Sequence, residues 1–422
     1  MLEAGFSRRD ITPPLGSLMA GNFHPRYAEA LADPLWVRAL ALRADGQPAL
    51  VLTFDLISLG RASAQAIRTG ISQRTGVPSA AINLAASHVH TGPATTRLLG
   101  VEADPGYLEV LAKEAVLAAD QALASLAPHG VALGVGEARG IAFNRRFVMR
   151  SGPVRTNPGL RNPDIIKPAG PVDEQVIALL LEGTQRDLVL VNFSLHPDTV
   201  GGSQISADYP YWTAQTLARG WSGPLEMLFV NGAFGDINHL DIRADRPAPT
   251  SAIGERLGLA VLQALGHSVS LQVDRLGFAE RQVTLKRRRL SPLELEQASR
   301  TAAEAPPDSY RTEHVYAREQ VALAAKDPTL TARVSALALG EGLRYVFLPG
   351  EPFVELGLAI KRDLGPVTAV VGNADGTVGY VPTQKAYTEG GYEVTPACSS
   401  QLAPGSGEIL VAEALQAAGA AM

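Results

Sequence analysis

The run Ala81-Ile82-Asn83-Leu84-Ala85-Ala86 and the segment Ser87-His88-Val89-His90-Thr91-Gly92-Pro93 after it constrain the fold more than any other stretch. An uncharged run bounded by turn formers reads as a buried strand, which Thr91-Gly92-Pro93 then stops. Side chains at i and i+2 of an extended segment point to one side, so both imidazoles are expected at the strand end. Open α/β sheets bind ligands there. The chain has 8 histidines. A third, in His196-Pro197, follows another strand-like run, Leu188 to Phe193. Three at such ends suggest a metal; satisfied core or surface histidines are the plain alternative.

Strand-like and helical runs alternate along most of the chain. Pro48 to Asp55 and Leu225 to Val230 read as buried strands, and Val176–Leu181 with Leu188–Phe193 as a hairpin. Helical periodicity marks Arg61–Arg74, Tyr107–Leu126, Ala252–Leu265, Pro292–Glu304 and Thr312–Ala325, with further strands near Thr331–Leu339 and Arg344–Leu348. Hairpins mixed with βα units imply an α/β fold: mixed β-sheets flanked by helices, with the site at strand ends. No linker interrupts the 422 residues, so one large domain, 1–422, is expected, with a peripheral helical hairpin near 285–330. Arg150 to Val172, rich in Pro, Gly, Asn and Arg, reads as a long irregular loop of the functional kind.

Composition removes several function classes. Hydrophobic residues at 46 % and charged residues at 19 % suit a soluble enzyme. A net charge of −5 without a basic run argues against nucleic acid as partner. The single cysteine, Cys398, excludes an internal disulfide and a cysteine-rich zinc site. No stretch nears the roughly 20 apolar residues of a membrane span. The start, Met1 to Asp10, lacks the apolar core of a signal peptide, so a cytoplasmic address is expected. Oligomeric state is not legible.

Other strand ends carry polar groups. Phe347-Leu348-Pro349-Gly350-Glu351-Pro352 sets a carboxylate between an apolar strand and a helix, Phe353–Lys361. Glu351 at or near the N-cap, with Pro352 at N1, serves either as a cap or as a ligand. Tyr380, in Val378-Gly379-Tyr380-Val381-Pro382-Thr383, reads on its own as a half-buried aromatic. The glycines of Asn231-Gly232-Ala233-Phe234-Gly235-Asp236-Ile237-Asn238 either let free amides cradle an oxyanion or simply make a tight turn. Gly134-Val135-Gly136 is no dinucleotide fingerprint, and the lack of a Gly-x-Ser-x-Gly elbow disfavours an ordinary serine hydrolase.

Taken in order, Ala4-Gly5, Asp10-Ile11-Thr12-Pro13, Ser87 to Pro93, Asn144-Arg145, His196-Pro197, Gly235-Asp236, Pro349-Gly350-Glu351 and Tyr380 to Thr383 resemble the neutral (non-lysosomal) ceramidases. The resemblance spans about residues 3 to 395 and their catalytic N-terminal domain, and no counterpart of their C-terminal immunoglobulin-like domain is expected. It implies one catalytic zinc per chain, held by His88, His196, Glu351 and Tyr380. It also implies that His90 touches substrate or water, that Arg145 faces a substrate oxygen, and that Gly235, Asp236 and Asn238 form a substrate loop.

Departures from the family pattern point to a divergent cytoplasmic relative with a changed substrate. Ceramidases carry Gly-Asp-x-Ser where this chain reads Gly235-Asp236-Ile237-Asn238, and Asp198-Thr199 replaces Thr-Ser after His-Pro. A carboxamide has no ionisable oxygen to attack with, so Asn238 is no nucleophile. The expectation is a zinc-dependent hydrolase cleaving a carboxamide in a small soluble molecule. A zinc esterase or lactonase, a true ceramidase, and a non-catalytic metal-containing binding protein are the alternatives. Arg150, Arg155, Arg161 and Lys167 are expected at the mouth of the site, favouring a polar or anionic ligand, with an ordinary solvated face as the alternative.

Overall fold

The computed structural model describes residues 2–422. Its layering follows from strands that carry apolar side chains on both faces. In Gln175–Glu182, Ile177, Leu179 and Leu181 enter one core and Val176, Ala178 and Leu180 another. In Thr329–Leu339, Leu337 and Leu339 join the first of these cores, while Val334, Ala336 and Ala338 face a third. Such strands belong to sheets covered on both sides.

Three main sheets share the central core. The first is five-stranded, in the order Ile82–Ala86, Gln47–Phe54, Trp36–Ala44, Glu3–Asp10, Ala127–Pro128, and carries helices Arg61–Thr75 and Pro105–Ala124. The second, also five-stranded, runs Leu225–Asn231, Asp187–Phe193, Gln175–Glu182, Gly130–Glu137, Val269–Ser270; helices Asp208–Gly220 and Thr250–Gly266 cover its outer face. The third is four-stranded, Leu276–Lys286, Thr329–Leu339, Leu343–Phe347, Thr368–Val371, under helices Val354–Leu364 and Ser406–Ala420. The expected class, α/β with mixed sheets flanked by helices, is what the chain adopts. Helices Pro292–Glu304 and Thr312–Ala324 lie side by side. Among the described residues no helix is long and apolar enough to cross a membrane.

One topological feature positions the site. Each main sheet contains one parallel pair: Gln47–Phe54 with Ile82–Ala86, Asp187–Phe193 with Leu225–Asn231, and Leu343–Phe347 with Thr368–Val371. The chain leaving these strands supplies Ile57, His88, His196, Phe234, Glu351 and Asn373.

Two local readings need correction. Glu351-Pro352 is a two-residue strand, and the helix after it begins at Val354 with Phe353 at the N-cap. Asp236 caps that helix instead, its Oδ1 accepting from the Val354 amide at 2.8 Å. A cap brought from another segment leaves no spacing signal beside the helix. Arg150 to Val172, in turn, is not structureless: Gly152–Thr156 and Ile165–Pro168 flank Arg146–Met149 in a three-stranded antiparallel sheet. Prolines and mostly exposed positions erase the alternation that marks a strand.

Candidate metal centre and active site

The strand that leads to the first two histidines ends at Ala86, and His88 has φ of 81°. The imidazoles therefore meet through a left-handed turn and not through the pleat; the ring centroids of His88 and His90 are 4.9 Å apart. A side chain in this conformation costs on the order of 1–2 kcal/mol. Hydrogen bonds hold it there: the His88 amide donates to Leu56 O at 2.9 Å and its Nδ1 to Ile57 O at 2.7 Å. Asn231 links this turn to the next histidine. Its Nδ2 donates to the carbonyls of Ser87 at 3.1 Å and Leu195 at 2.9 Å, and its Oδ1 accepts from the Leu195 amide. Asp208 fixes the continuation, accepting from the amides of Thr199 at 2.9 Å and Val200 at 3.0 Å.

His88, His90 and His196 bring ring nitrogens within 4.8 Å of one another, a cluster that could hold a metal ion. Nε2 of His88 lies 3.1 Å from Nε2 of His196 and 3.4 Å from Oε2 of Glu351. A carbonyl can only accept, so the contact with Ile57 O puts the His88 proton on Nδ1 and a lone pair on Nε2. Burial, reinforced by His90, holds His88 well below the usual histidine range; burial and then Arg145 do the same to His196. Burial pushes the Glu351 carboxyl up to about 7, against the pull of Arg145 and the Tyr380 hydroxyl. Glu351 Oε2 is buried without a hydrogen-bond partner. The His88 lone pair and the unpartnered Glu351 Oε2, crowded together, suit a cation. Ligands about 2.0–2.1 Å from a tetrahedral zinc lie roughly 3.3 Å from one another, and the two observed separations bracket that spacing. The residues fit a metal.

Tyr380 is the register partner of Glu351 in the parallel pairing of Glu351–Pro352 with Tyr380–Val381. Its hydroxyl accepts from Arg145 Nη2 at 3.0 Å and also bonds the hydroxyl of Tyr392. Arg145 is buried and further anchored by Nη2 to Gly235 O at 2.7 Å and Nε to Glu393 at 3.0 Å. A cavity of about 490 Å³ opens over this cluster, with His90, His196, Arg145, Asp198, Arg26 and Tyr392 in its wall. Nδ1 of His90 faces Gly21 O at 3.1 Å and so carries the proton, which leaves Nε2 as an acceptor without a protein partner.

Two solved ceramidases have a similar fold. Neutral ceramidase from Pseudomonas aeruginosa superposes with a TM-score of 0.75 at 18 % sequence identity, covering 98 % of this chain and 74 % of its own. A ceramidase complexed with C2 gives a TM-score of 0.70 at the same identity and coverage. The chain has the fold of a neutral ceramidase. No protein-family model and no curated protein matches the sequence.

Within this ceramidase fold the expected residues divide. His88, His90, His196, Glu351, Tyr380 and Arg145 come together. Gly235, Asp236 and Asn238 stand behind them. The Gly235 amide donates to Pro352 O at 2.8 Å and the Ile237 amide to Phe234 O, so neither is free for an oxyanion. Both Asp236 oxygens are engaged, one by Val354 and one by Asn144 Nδ2 at 2.9 Å. Asn238 Nδ2 donates to Asn157 Oδ1 at 2.7 Å, and it is Asn157 that lines the cavity. Arg150, Arg155, Arg161 and Lys167 do not line it, although Thr156 does. Strand alternation turns Val154 and Thr156 inward and Arg155 out, and Arg161 pairs with Asp245 at 2.8 Å.

Sequence reasoning missed Tyr392, Glu393 and Arg26. The only signal for the first two was the Gly390-Gly391 pair before them, both at positive φ. Arg26 had none; its guanidinium donates to the carbonyls of Ala20, His90 and Gly202, three separate segments.

Proposed function

We propose that this chain is a zinc-dependent hydrolase that cleaves the carboxamide of a small, soluble N-acyl compound. The observation that carries this reading is the spacing of His88 Nε2 from His196 Nε2 and Glu351 Oε2, 3.1 and 3.4 Å, with the His88 lone pair turned toward both. His88, His196 and Glu351 would hold the ion, with Tyr380 beside Glu351. Imidazoles with a carboxylate are a donor set that suits zinc. When bound, zinc supplies Lewis acidity toward a carbonyl and acidifies water toward neutrality. Ceramide is itself an amide, and the shared fold supports hydrolysis of that bond.

The protein groups have separable tasks. His90, kept neutral by burial, presents Nε2 to the cavity as the acceptor for a proton from water, and later returns it to the departing amine. Arg145 lines the cavity with its charge fixed by Glu393, and no hydrogen bond to protein engages its Nη1; it steadies negative charge on the substrate oxygen. Arg26, Asp198 and Asn157 make the rest of the wall polar. Polar groups built to bond a substrate discriminate more strongly than apolar walls do.

The test pairs metal analysis with a substrate screen. About one equivalent of zinc per chain is expected, with activity on short N-acyl amino compounds that a chelator abolishes. His196→Ala should lose both metal and activity. Esters, lactones and long-chain ceramide in detergent are the comparison arms. A kcat/KM on any of them more than about tenfold above the best amide overturns the substrate assignment. Full zinc with no hydrolysis of any class would make the chain a binding protein.

A further inference from the structure

A second cavity, of about 250 Å³, reaches the cluster through a different set of residues. His88 and Glu351 line it, whereas His90, His196 and Arg145 line the larger one. Three cations, Arg61, Arg97 and Lys326, stand among otherwise neutral residues in the rest of its wall. Arg97 is neutralised by Glu102 at 2.7 Å and Glu319 at 2.9 Å. Arg61 is not. Its guanidinium donates to Thr331 O at 2.9 Å, and both burial and the neighbouring Arg287 work against its charge. Among the described residues, Lys326 likewise forms no ion pair. Arg287 is buried behind Gln401, bonding its Oε1 at 2.8 Å and the carbonyls of Asp327 and Thr329. Gln401 itself faces the cavity.

Arg61 and Lys326 share this cavity without ion-pair partners, and cations so placed are stabilised by an anion drawn from solution. Two unpaired cations, one of them already bonded to Thr331 O, suit a single carboxylate. The volume admits only a small one.

We propose that this cavity binds a small monocarboxylate, with Arg61 and Lys326 as its charge partners. Amide hydrolysis releases a carboxylate, so a role in holding the acid product beside the metal centre rests on the function proposed above. The binding itself does not.

Calorimetric titration of the full chain with sodium acetate at constant ionic strength tests it, with phosphate and methylammonium as comparison probes. Acetate should bind at one site, phosphate at least about tenfold more weakly, and methylammonium not at all. Lys326→Ala, at a half-buried turn, and Arg61→Gln should each weaken acetate by about tenfold or more. Chelator-treated protein should still bind it. Unchanged affinity in both variants overturns the site. So does binding that vanishes with the metal but survives in Lys326→Ala, since acetate would then sit on the ion. Phosphate binding tighter than acetate overturns the monocarboxylate. Absence of amidase activity alongside intact, Lys326-dependent acetate binding sinks the hydrolase reading and leaves the site standing.

Discussion

Glu351 and Tyr380 face each other across the shortest kind of parallel pairing, two residues long, and the Gly235 amide locks onto its back at Pro352 O. A Cβ on Gly235 would sit 2.3 Å from Glu351 O, closer than any side chain tolerates. Gly235→Ala should therefore displace the Glu351 strand, costing about 1–3 kcal/mol of stability as overpacking does. Metal affinity should fall with it. Denaturant midpoints and metal content report both, and a variant with full metal and an unshifted midpoint would contradict the argument.

Tyr380→Phe removes a hydroxyl that both Arg145 and Tyr392 contact. The chain should fold, with metal affinity lowered by roughly 10–100-fold, the range seen when supporting groups of a metal site are lost. Competition with a chromophoric chelator measures it. Wild-type affinity in this variant would remove Tyr380 from the centre.

Arg145 and Glu393 form an ion pair with side chains 3 % and 0 % exposed, so neither charge has water to fall back on. Glu393→Gln should cost about 3–5 kcal/mol, because it strands the guanidinium. Replacing both, Arg145→Met with Glu393→Leu, should recover much of that loss yet remain inactive. A double variant as unstable as the single one would mean that the pair is not the source of the cost.

Burial pushes the Asp236 carboxyl up to about 6, against the Val354 amide and Asn144 that favour its charged form. Unfolded aspartate titrates near about 4. The folded chain thus holds this proton more tightly, so the contribution is complete below about pH 4 and is lost as pH rises through about 6. On the order of 2–3 kcal/mol is involved for a shift of this size. Asp236→Asn has no such proton, and stability differences between wild type and variant should drift by that amount across the window. A flat difference from about pH 4 to 7 would refute it.

The same logic applies to metal uptake. Glu351 titrates near 7 in the metal-free chain, and a ligand must shed its proton to bind. Zinc affinity should climb as pH rises through about 7, with proton release measurable in weakly buffered solution. Affinity that is level from about pH 6 to 8 would exclude Glu351 as a ligand.

Strand ends were legible because their runs are long and apolar: Ile82–Ala86, Asp187–Phe193 and Leu225–Asn231 all lie where hydrophobic patterning places them. Of the pairings, the hairpin of Gln175–Glu182 with Asp187–Phe193 was legible from its short turn, whereas nothing local in the sequence gives the order of the other strands. His88 and His90 do come together, but through a left-handed turn and not through the extended geometry read from their spacing. The cap supplied by Asp236 is carried across more than a hundred positions, and such long-range bonds leave no periodicity to read. Arg150–Val172 failed for the opposite reason: its strands are too short and too exposed to imprint an alternation.

The parallel pair of each main sheet ends at the same junction, so groups as distant in the chain as His88 and Glu393 must be assembled before the centre exists. A bound ion at that junction would act as a tether between all three sheets, and none of them could loosen alone without releasing it. Its stabilisation, which grows with the logarithm of metal concentration, would then be felt by the whole fold at once. Hydrogen exchange should register this as slowed opening of strands far from the metal, in Glu3–Asp10 and Leu276–Lys286 as much as beside the histidines.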